Sequence, residues 1–317
     1  MSNKVKDVDN HNGPSVLLGC PSLTAEAGRS KMCEGCPGQA LCQSLGKTDP
    51  YQEGIDLRMN AITHKILVVS GKGGVGKSSV AATLSIALSQ YFNQKSALLD
   101  LDICGPSATK LMSVIGEPVI NTEYGWKPLL SPLGNVKVMS VGAIIQSDSC
   151  SITFRGPRKA QLIKQFLKDT FWGRLDYLIC DTPPGTSDEH LTVISALKNT
   201  KPDGVIIVTT PQKVALKTIR KEVTFCQKMG IRILGIVENM SGYACPCCGV
   251  VSDIFNSNDG ESLCKEYGLE FLGKIPLDQE FVRCCDLGDN VLNRDDNVVA
   301  KCFYEIAANL HNLLGST

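Results

Sequence analysis

Gly71-Lys72-Gly73-Gly74-Val75-Gly76-Lys77-Ser78 is the stretch that decides the fold, and Ser79 directly continues it. It follows the apolar run 66–69 and precedes 78–90, which has helical periodicity. A glycine-rich turn between a buried strand and a helix lets backbone N–H groups and the helix N-terminus surround phosphate. In the pattern G-x-x-x-x-G-K-S, the lysine reaches the β- and γ-phosphates and the serine hydroxyl can bind Mg²⁺. All nine residues are therefore predicted to bind ATP, with Mg²⁺ beside them.

Apolar runs and helix-length segments alternate from His64 onward. This alternation predicts a three-layer α/β fold with a mostly parallel sheet of seven or eight strands. The predicted strands contain 66–69, 97–99, 136–139, 177–179, 205–208, 233–237 and 271–273. Residues 1–60 have turn chemistry but no periodic apolar runs, so the chain is predicted to divide into a cysteine-rich segment, 1–60, and a P-loop domain, 61–317.

Composition excludes some classes of partner. The 317 residues carry 32 Lys plus Arg and 32 Asp plus Glu, which gives no general attraction to nucleic acid or anionic membrane. We found no apolar signal region and no run long enough to span a bilayer, so a cytoplasmic location is expected. Fifteen cysteines without such a signal are expected to be reduced, and clustered ones are candidate metal ligands.

Acidic residues follow two of the predicted strands, where a parallel sheet presents catalytic groups. Asp181 fits the carboxylate that holds Mg²⁺ through water, and Gly185 is expected to offer its N–H to the γ-phosphate. Asp102 is the candidate for orienting the attacking water, with Asp100 behind it. The alternative for either aspartate is a helix N-cap.

A second lysine in the glycine-rich loop, Lys72, is not required by the phosphate-binding pattern. It is similar to the signature lysine of the deviant Walker A ATPases, which reaches the nucleotide of a partner subunit. The alternative is a solvated loop lysine. Lys72, Lys77, Asp102 and Asp181 are the predicted catalytic residues.

Four cysteines near the N-terminus, Cys20, Cys33, Cys36 and Cys42, form a C-x12-C-x2-C-x5-C array. Four thiolates suit either zinc or a [4Fe-4S] cluster. Zinc sites more often contain two C-x2-C knuckles, so the uneven spacing favours the cluster.

Cys245 and Cys248 form a separate C-x2-C pair in a predicted loop, with Cys247 between them. Two copies of the pair across a two-fold axis would supply four thiolates. The alternatives are a redox pair or half of a zinc knuckle. The single cysteines are expected to be mostly buried structural thiols, and His190 a surface or capping residue. These single cysteines are Cys104, Cys180, Cys226, Cys264 and Cys302.

Taken together, these motifs resemble the eukaryotic cytosolic iron-sulfur cluster assembly ATPases of the Mrp/NBP family, in the branch with an N-terminal cysteine segment. The resemblance covers nearly the whole chain. It rests on 64–68 before the deviant P-loop, 100–107, 155–159, 181–190, 209–212, 238–242 and the pair Cys245 and Cys248.

The resemblance implies a dimeric ATPase that assembles [4Fe-4S] clusters and transfers them to cytosolic and nuclear apoproteins. One cluster would lie on the N-terminal cysteines of each chain, and a labile one would bridge two chains at the C-x2-C pair. Asn239, with Pro276 and Asp278, would contact adenine. The implied partners are a second copy or a related P-loop subunit, iron-sulfur targeting factors and apoproteins. The spacing between Cys20 and Cys33 is one residue shorter than is usual in the family.

Two other functions remain open at this point. A regulatory or partition ATPase of the deviant Walker A group would need a basic patch or an amphipathic C-terminal helix, and 297–317 has apolar spacing without a basic polar face. A zinc-stabilised ATPase without cluster transfer would use the same cysteines.

Overall fold

The computed structural model describes residues 31, 34, 49–144, 156–185, 188–245, 247, 248, 250–252, 259–294 and 296–315. The chain divides into two compact units, Met1–Pro50 and Tyr51–Thr317. The second unit contains every element discussed below. Cys20, Cys33, Cys36 and Cys42 lie outside the described residues, so the N-terminal cluster stays a prediction.

Strands and helices alternate through the second unit. The described strands are β1 Ile62–Val69, β2 Ser96–Asp100, β3 Ile120–Thr122, β4 Gly125–Lys127, β5 Leu129–Leu130, β6 Lys137–Ser140, β7 Leu175–Asp181, β8 Gly204–Thr209, β9 Ile233–Ala244, β10 Val251–Ser252 and β11 Phe271–Leu277. The described helices are α1 Gln52–Met59, α2 Lys77–Phe92, α3 Ala108–Leu111, α4 Val141–Ile144, α5 Gly156–Asp169, α6 Asp188–Leu197, α7 Lys213–Met229, α8 Asp259–Tyr267, α9 Gln279–Leu287 and α10 Val298–Gly315. Short 3₁₀ turns span Lys198–Thr200 and Val291–Asn293.

Nine of these strands form one sheet with β1 near its centre. The order is β10-β9-β8-β1-β7-β2-β6-β5, and β11 pairs with β9. All pairs are parallel except β5 with β6 and β10 with β9. The separate strands β3 and β4 form an antiparallel hairpin. Each of the seven predicted apolar runs lies in or overlaps a strand of the main sheet.

Helices cover both faces of the sheet and create two hydrophobic cores. One core contains apolar residues of α2 and α10, and the other contains those of α1, α5, α6, α7 and α8. Strand β1 is buried on both faces from Lys65 to Val69, which is typical of a central parallel strand. The predicted three-layer α/β fold is confirmed.

Helix α1 lies within the residues that the sequence assigns to the N-terminal segment. Its Ile55 and Met59 are fully buried in the second core, where the helix packs against α5 and α6. The P-loop unit therefore includes this helix. None of the helices in the described part of the chain is long and apolar enough to cross a membrane.

Candidate functional site: a nucleotide pocket beside a cysteine cavity

The glycine-rich loop connects β1 to α2 at the carboxyl end of the sheet. Gly74 and Gly76 have φ near +80°, a conformation that glycine adopts without a steric penalty. Gly76 is the residue before the first turn of α2, and Lys77 and Ser78 begin the helix. Backbone N–H groups at this helix start are thereby directed toward the position that a phosphate would take.

Lys77 and Asp181 form a buried ion pair beneath this loop. Lys77 is 6% exposed and Asp181 is 1% exposed, and the lysine ammonium donates to a carboxylate oxygen of Asp181. The Ser78 hydroxyl lies 3.3 Å from Lys77 Nζ and also bonds Asp181. Burial raises the pKa of Asp181, while the neighbouring Lys77 charge opposes that rise. The structure thus brings together the predicted phosphate lysine, the Mg²⁺ hydroxyl and the acidic residue.

Asp100 is the acceptor of four hydrogen bonds. It is fully buried and accepts hydrogen bonds from the backbone N–H groups of Asp102, Ser107 and Ala108 and from the Ser140 hydroxyl, at 2.9–3.2 Å. Burial, with a further contribution from the Asp181 charge, raises its pKa to about 7. Asp100 therefore fixes the backbone of the loop that carries Asp102.

Asp102 is half-buried in this loop and accepts a hydrogen bond of 3.2 Å from the Gly105 N–H. Lys72 is exposed, and its carbonyl accepts a hydrogen bond from the Ser70 hydroxyl. The Gly185 N–H, which is predicted to contact the γ-phosphate, donates to the Ser70 carbonyl at 2.7 Å. The loop after Asp181 is thereby tied to the glycine-rich loop.

A cavity of about 200 Å³ lies beside the P-loop and contains the three residues expected to contact adenine. Asn239 is 4% exposed and donates from its amide nitrogen to the Val75 carbonyl at 2.9 Å. Pro276 and Asp278 also line this cavity. The sequence analysis did not identify the α9 residues that complete the cavity, because they match no binding motif and most of them are apolar. These are Phe281, Val282, Cys285 and Asp286.

The C-x2-C loop borders a second, larger cavity of about 580 Å³. Cys245, Cys247 and Cys248 line it together with Arg283 and Glu280 of α9. The Cys247 and Cys248 backbone N–H groups lower the pKa of the Cys245 thiol, Cys247 contributing most. Among the described residues, no group of three or more His, Cys, Asp or Glu side chains is arranged to hold a metal ion. The described residues of one chain therefore place three thiols, Cys245, Cys247 and Cys248, at this cavity.

Comparison with known proteins agrees with this geometry. Residues 61–311 match the ParA family description of a NUBPL iron-transfer P-loop NTPase. The chain belongs to this family. It is 46% identical over 278 residues to the cytosolic Fe-S cluster assembly factor NBP35 of Eremothecium gossypii, covering 86% of this chain and 83% of that protein.

Solved structures of relatives share the fold of this iron-transfer NTPase. The nucleotide-binding protein of Archaeoglobus fulgidus in complex with ADP is 36% identical, with a TM-score of 0.66 over 75% of this chain and 91% of that one. The septum site-determining protein MinD of Pyrococcus horikoshii, complexed with Mg-ADP, has a TM-score of 0.59 at 22% identity over 80% of this chain and 98% of that one. The predicted MinD-like P-loop class is confirmed.

Two expectations about single residues are wrong. His190 is fully buried, its Nε2 lies 3.0 Å from Thr182 Oγ1, and its ring meets Phe225 of α7 edge-on. Burial lowers the pKa of His190 to about 4. Cys104 is exposed, because the loop after Asp102 turns it away from the core. By contrast Cys180, Cys226 and Cys264 are buried as expected, and Cys302 is half-buried.

Proposed function

We propose that this chain is a cytosolic ATPase that assembles [4Fe-4S] clusters and transfers them to cytosolic and nuclear apoproteins. Family membership and the similarity to a cytosolic cluster assembly factor support this proposal. The glycine-rich loop with the buried Lys77–Asp181 pair, and the thiols beside the larger cavity, also support it. The working form is proposed to be a dimer, of two copies or of this chain with a related P-loop subunit, which exchanges clusters with targeting factors and apoproteins.

One observation carries the proposal: helix α9 forms a wall of both cavities. Phe281 and Val282 line the nucleotide pocket, whereas Glu280 and Arg283 line the cysteine cavity. Asp278, which caps α9 by accepting the Phe281 N–H at 2.7 Å, lines both. Nucleotide and thiol-bound cargo therefore contact the same short helix, so each can affect the binding of the other.

At the nucleotide site we propose that Lys77 exchanges Asp181 for phosphate oxygens when ATP binds. The β- and γ-phosphates carry more negative charge than one carboxylate and lie at the helix start that Lys77 begins. Asp181 and the Ser78 hydroxyl would hold Mg²⁺, which neutralises phosphate charge. Asp102 would orient the attacking water, and exposed Lys72 would reach the nucleotide of the partner subunit.

ATP binding can be tested with two lysine variants. Lys77→Ala should lose ATP affinity, because the phosphates lose their positioned cation. Lys72→Ala should bind ATP yet lose turnover, because its action is across the dimer. The control is Lys95→Ala, at an exposed lysine that directly precedes β2. Unchanged ATP affinity in Lys77→Ala would contradict the nucleotide-site assignment, and unchanged turnover in Lys72→Ala would make Lys72 a solvated loop lysine.

At the cysteine cavity we propose that Cys245 and Cys248 of two chains together supply four thiolates to one labile [4Fe-4S] cluster. The donor set fits, since thiolates are the usual ligands of such clusters and each chain contributes two. A cluster shared by two chains stabilises the dimer by mass action. Its retention should therefore fall as the protein is diluted.

The decisive experiment is the double variant Cys245→Ser/Cys248→Ser, with Cys247→Ser as the matched control in the same loop. After anaerobic reconstitution, iron and sulfide per chain and the dimer fraction in sedimentation should fall in the double variant only. Equal iron in the double variant and the wild type, or a diluted monomer that keeps this iron, would refute the shared cluster. Zinc in place of iron and sulfide would favour the zinc-stabilised ATPase.

The N-terminal cysteines are proposed to hold a second, tightly bound [4Fe-4S] cluster through Cys20, Cys33, Cys36 and Cys42. Cys33→Ala/Cys36→Ala should lose this cluster while the P-loop unit keeps its unfolding transition, because the buried residues of both described cores come after Tyr51. Loss of that transition would show that the segment is needed for the fold.

A further inference from the structure

Helix α7 presents a strongly cationic surface that the proposed function does not use. Five of its exposed side chains are basic: Lys213, Lys217, Arg220, Lys221 and Lys228. At about 100° per residue, all five fall within an arc of about 100° on the helix. The helix has one acidic residue, Glu222, and it is buried on the opposite side. We call these five residues the α7 basic face.

Most of this charge has no partner in the part of the chain that the structure describes. Arg220 pairs with Glu266 of α8 at 2.8 Å. Between described residues, no ion pair within 4.0 Å involves any of the four lysines. Lys213, Lys217 and Lys221 follow one another at i, i+4 spacing, where like charges destabilise a helix by about 0.2–0.5 kcal/mol per pair. An anionic partner covering the face would remove this repulsion.

Apolar groups and a shallow cavity accompany the cations. Val214, on the edge of the same arc, is 63% exposed. A cavity of about 440 Å³ is lined by Arg220, Lys221, Thr224, Phe225 and Lys228, so a half-buried aromatic ring lies among the charges. Such a surface fits carboxylates that alternate with apolar side chains. The phosphates of a nucleic acid backbone would pair with the lysines but would supply no apolar side chain for the cavity beside Phe225.

The buried side of α7 lies against the nucleotide site. A Cβ placed on Gly71 would come within 2.6 Å of Thr218 Oγ1 and 2.9 Å of the Thr218 backbone, so the helix backbone touches the start of the P-loop. Phe225 contacts His190, which in turn bonds Thr182 next to Asp181. The basic face is thus the outer surface of a helix that packs directly on the start of the P-loop and reaches the loop after Asp181 through His190.

We propose that the α7 basic face docks an acidic segment of a partner protein, one in which carboxylates alternate with apolar side chains. The lysines pair with its carboxylates, and an apolar side chain enters the cavity beside Phe225. This docking is independent of the cluster sites, so it can be tested whether or not the cysteine assignments hold.

The test uses the full chain and a short fluorescent peptide of alternating glutamate and leucine, followed by anisotropy at about 0.15 M salt, where distant charges are screened. A variant with all four α7 lysines changed to glutamine keeps helix propensity, because both residues are good helix formers. Its control carries four exposed lysines elsewhere changed in the same way. The control positions are Lys95, Lys127, Lys274 and Lys301.

We expect the peptide to bind the wild type and the control alike, and the α7 variant to bind about 10-fold or more weakly. Circular dichroism and ATP binding should be equal in all three proteins, which excludes misfolding as the cause. Absence of peptide binding, or equal weakening in the control, would overturn the proposal. Tighter binding of duplex DNA, or of vesicles containing phosphatidylserine, would also overturn it and would favour a partition-type role for this face.

Discussion

Replacing Gly76 with alanine tests how the P-loop packs against Asn239 in the proposed nucleotide pocket, the cavity of about 200 Å³. Gly76 has φ +80°, and a Cβ there would overlap the amide nitrogen of Asn239. That amide is buried and donates to the Val75 carbonyl at 2.9 Å. The left-handed backbone costs alanine about 1 kcal/mol, and the displaced amide adds about 1–3 kcal/mol of overpacking. We therefore expect Gly76→Ala to lower the free energy of unfolding by about 2–4 kcal/mol.

Gly74 is the matched control in the same loop. It also has φ +80°, but a Cβ there would meet no heavy atom within 4 Å. Gly74→Ala should therefore show the backbone cost alone, about 1 kcal/mol. The difference between the two alanine variants measures the contact of Gly76 with Asn239.

A double-mutant cycle isolates that contact. Asn239→Ala in the wild type should cost about 1–3 kcal/mol, because the buried Val75 carbonyl loses its donor. In the Gly76→Ala background the same change removes the overlapping amide, so its cost should be smaller by about 1 kcal/mol or more. In the Gly74→Ala background the two changes should add within about 0.5 kcal/mol.

The assay is equilibrium urea unfolding followed by the fluorescence of Trp172, which is 1% exposed in the second core. Additive costs for Gly76 and Asn239, or equal costs for Gly74→Ala and Gly76→Ala, would refute the reasoning. Gly76→Ala should also weaken ATP binding, because Gly76 and Asn239 both line the proposed nucleotide pocket.

Three further predictions concern buried groups. Because burial lowers the His190 pKa from 6.5 to about 4, the wild type should lose up to about 3 kcal/mol of stability as pH falls through this window, and His190→Gln should lose that dependence in urea unfolding. Among the described residues no group hydrogen-bonds Glu222 Oε2, and burial raises the Glu222 pKa from 4.5 to about 7, so wild-type stability is lost as pH rises through this window. Glu222→Gln should therefore be more stable than wild type by up to about 3 kcal/mol near pH 8 but not below about pH 4, whereas exposed Glu305→Gln should show no gain. Gly71→Ala, which would press on the α7 backbone, should destabilise by about 1–3 kcal/mol, whereas Gly73→Ala, whose nearest atom is 3.9 Å away, should not; equal thermal melting of the two would contradict this packing.

Local sequence determined the phosphate loop and the sheet, because each depends on short-range pattern. The run 66–69, the glycines and Lys77 lie next to each other in the chain, so strand, loop and helix were predictable in that order. The family resemblance, and not a local sequence pattern, is the basis for assigning Asn239, Pro276 and Asp278 to the proposed nucleotide pocket. No local rule joins residues of β9, β11 and the start of α9, since only the register of β9 with β11 places them side by side.

The wrong expectations concern residues whose burial depends on three-dimensional packing and not on their neighbours in the chain. His190 follows Asp188 and Glu189, and such polar neighbours favour a surface residue. Its burial depends on Phe225, which comes from a different helix far along the chain. Cys104 was expected to be a buried structural thiol from its residue type, but it is exposed.

The α7 basic face had a sequence signal that overall composition concealed. Equal totals of 32 basic and 32 acidic residues excluded a general polyanion binder, yet they say nothing about how charge is arranged on one helix. Helical spacing of Lys213, Lys217, Lys221 and Lys228 was visible in the chain. Net charge therefore limits the long-range electrostatic attraction of the whole chain. Helical periodicity indicates which face of a helix can bind a partner at short range.

The proposed coupling between ATP and thiol-bound cargo would act through β9 and α9. Asn239 contacts the P-loop, and Cys245 lies just beyond the end of the same strand, about 20 Å along an extended chain. Between them Met240 has φ +56° and Gly242 has φ +81°, so this part of β9 is irregular. Any effect of ATP on cluster affinity must be matched by an equal effect of the cluster on ATP affinity, because coupling free energy is reciprocal. A shared wall and a shared strand supply the contacts through which such a free energy, typically about 1–3 kcal/mol, can act in both directions.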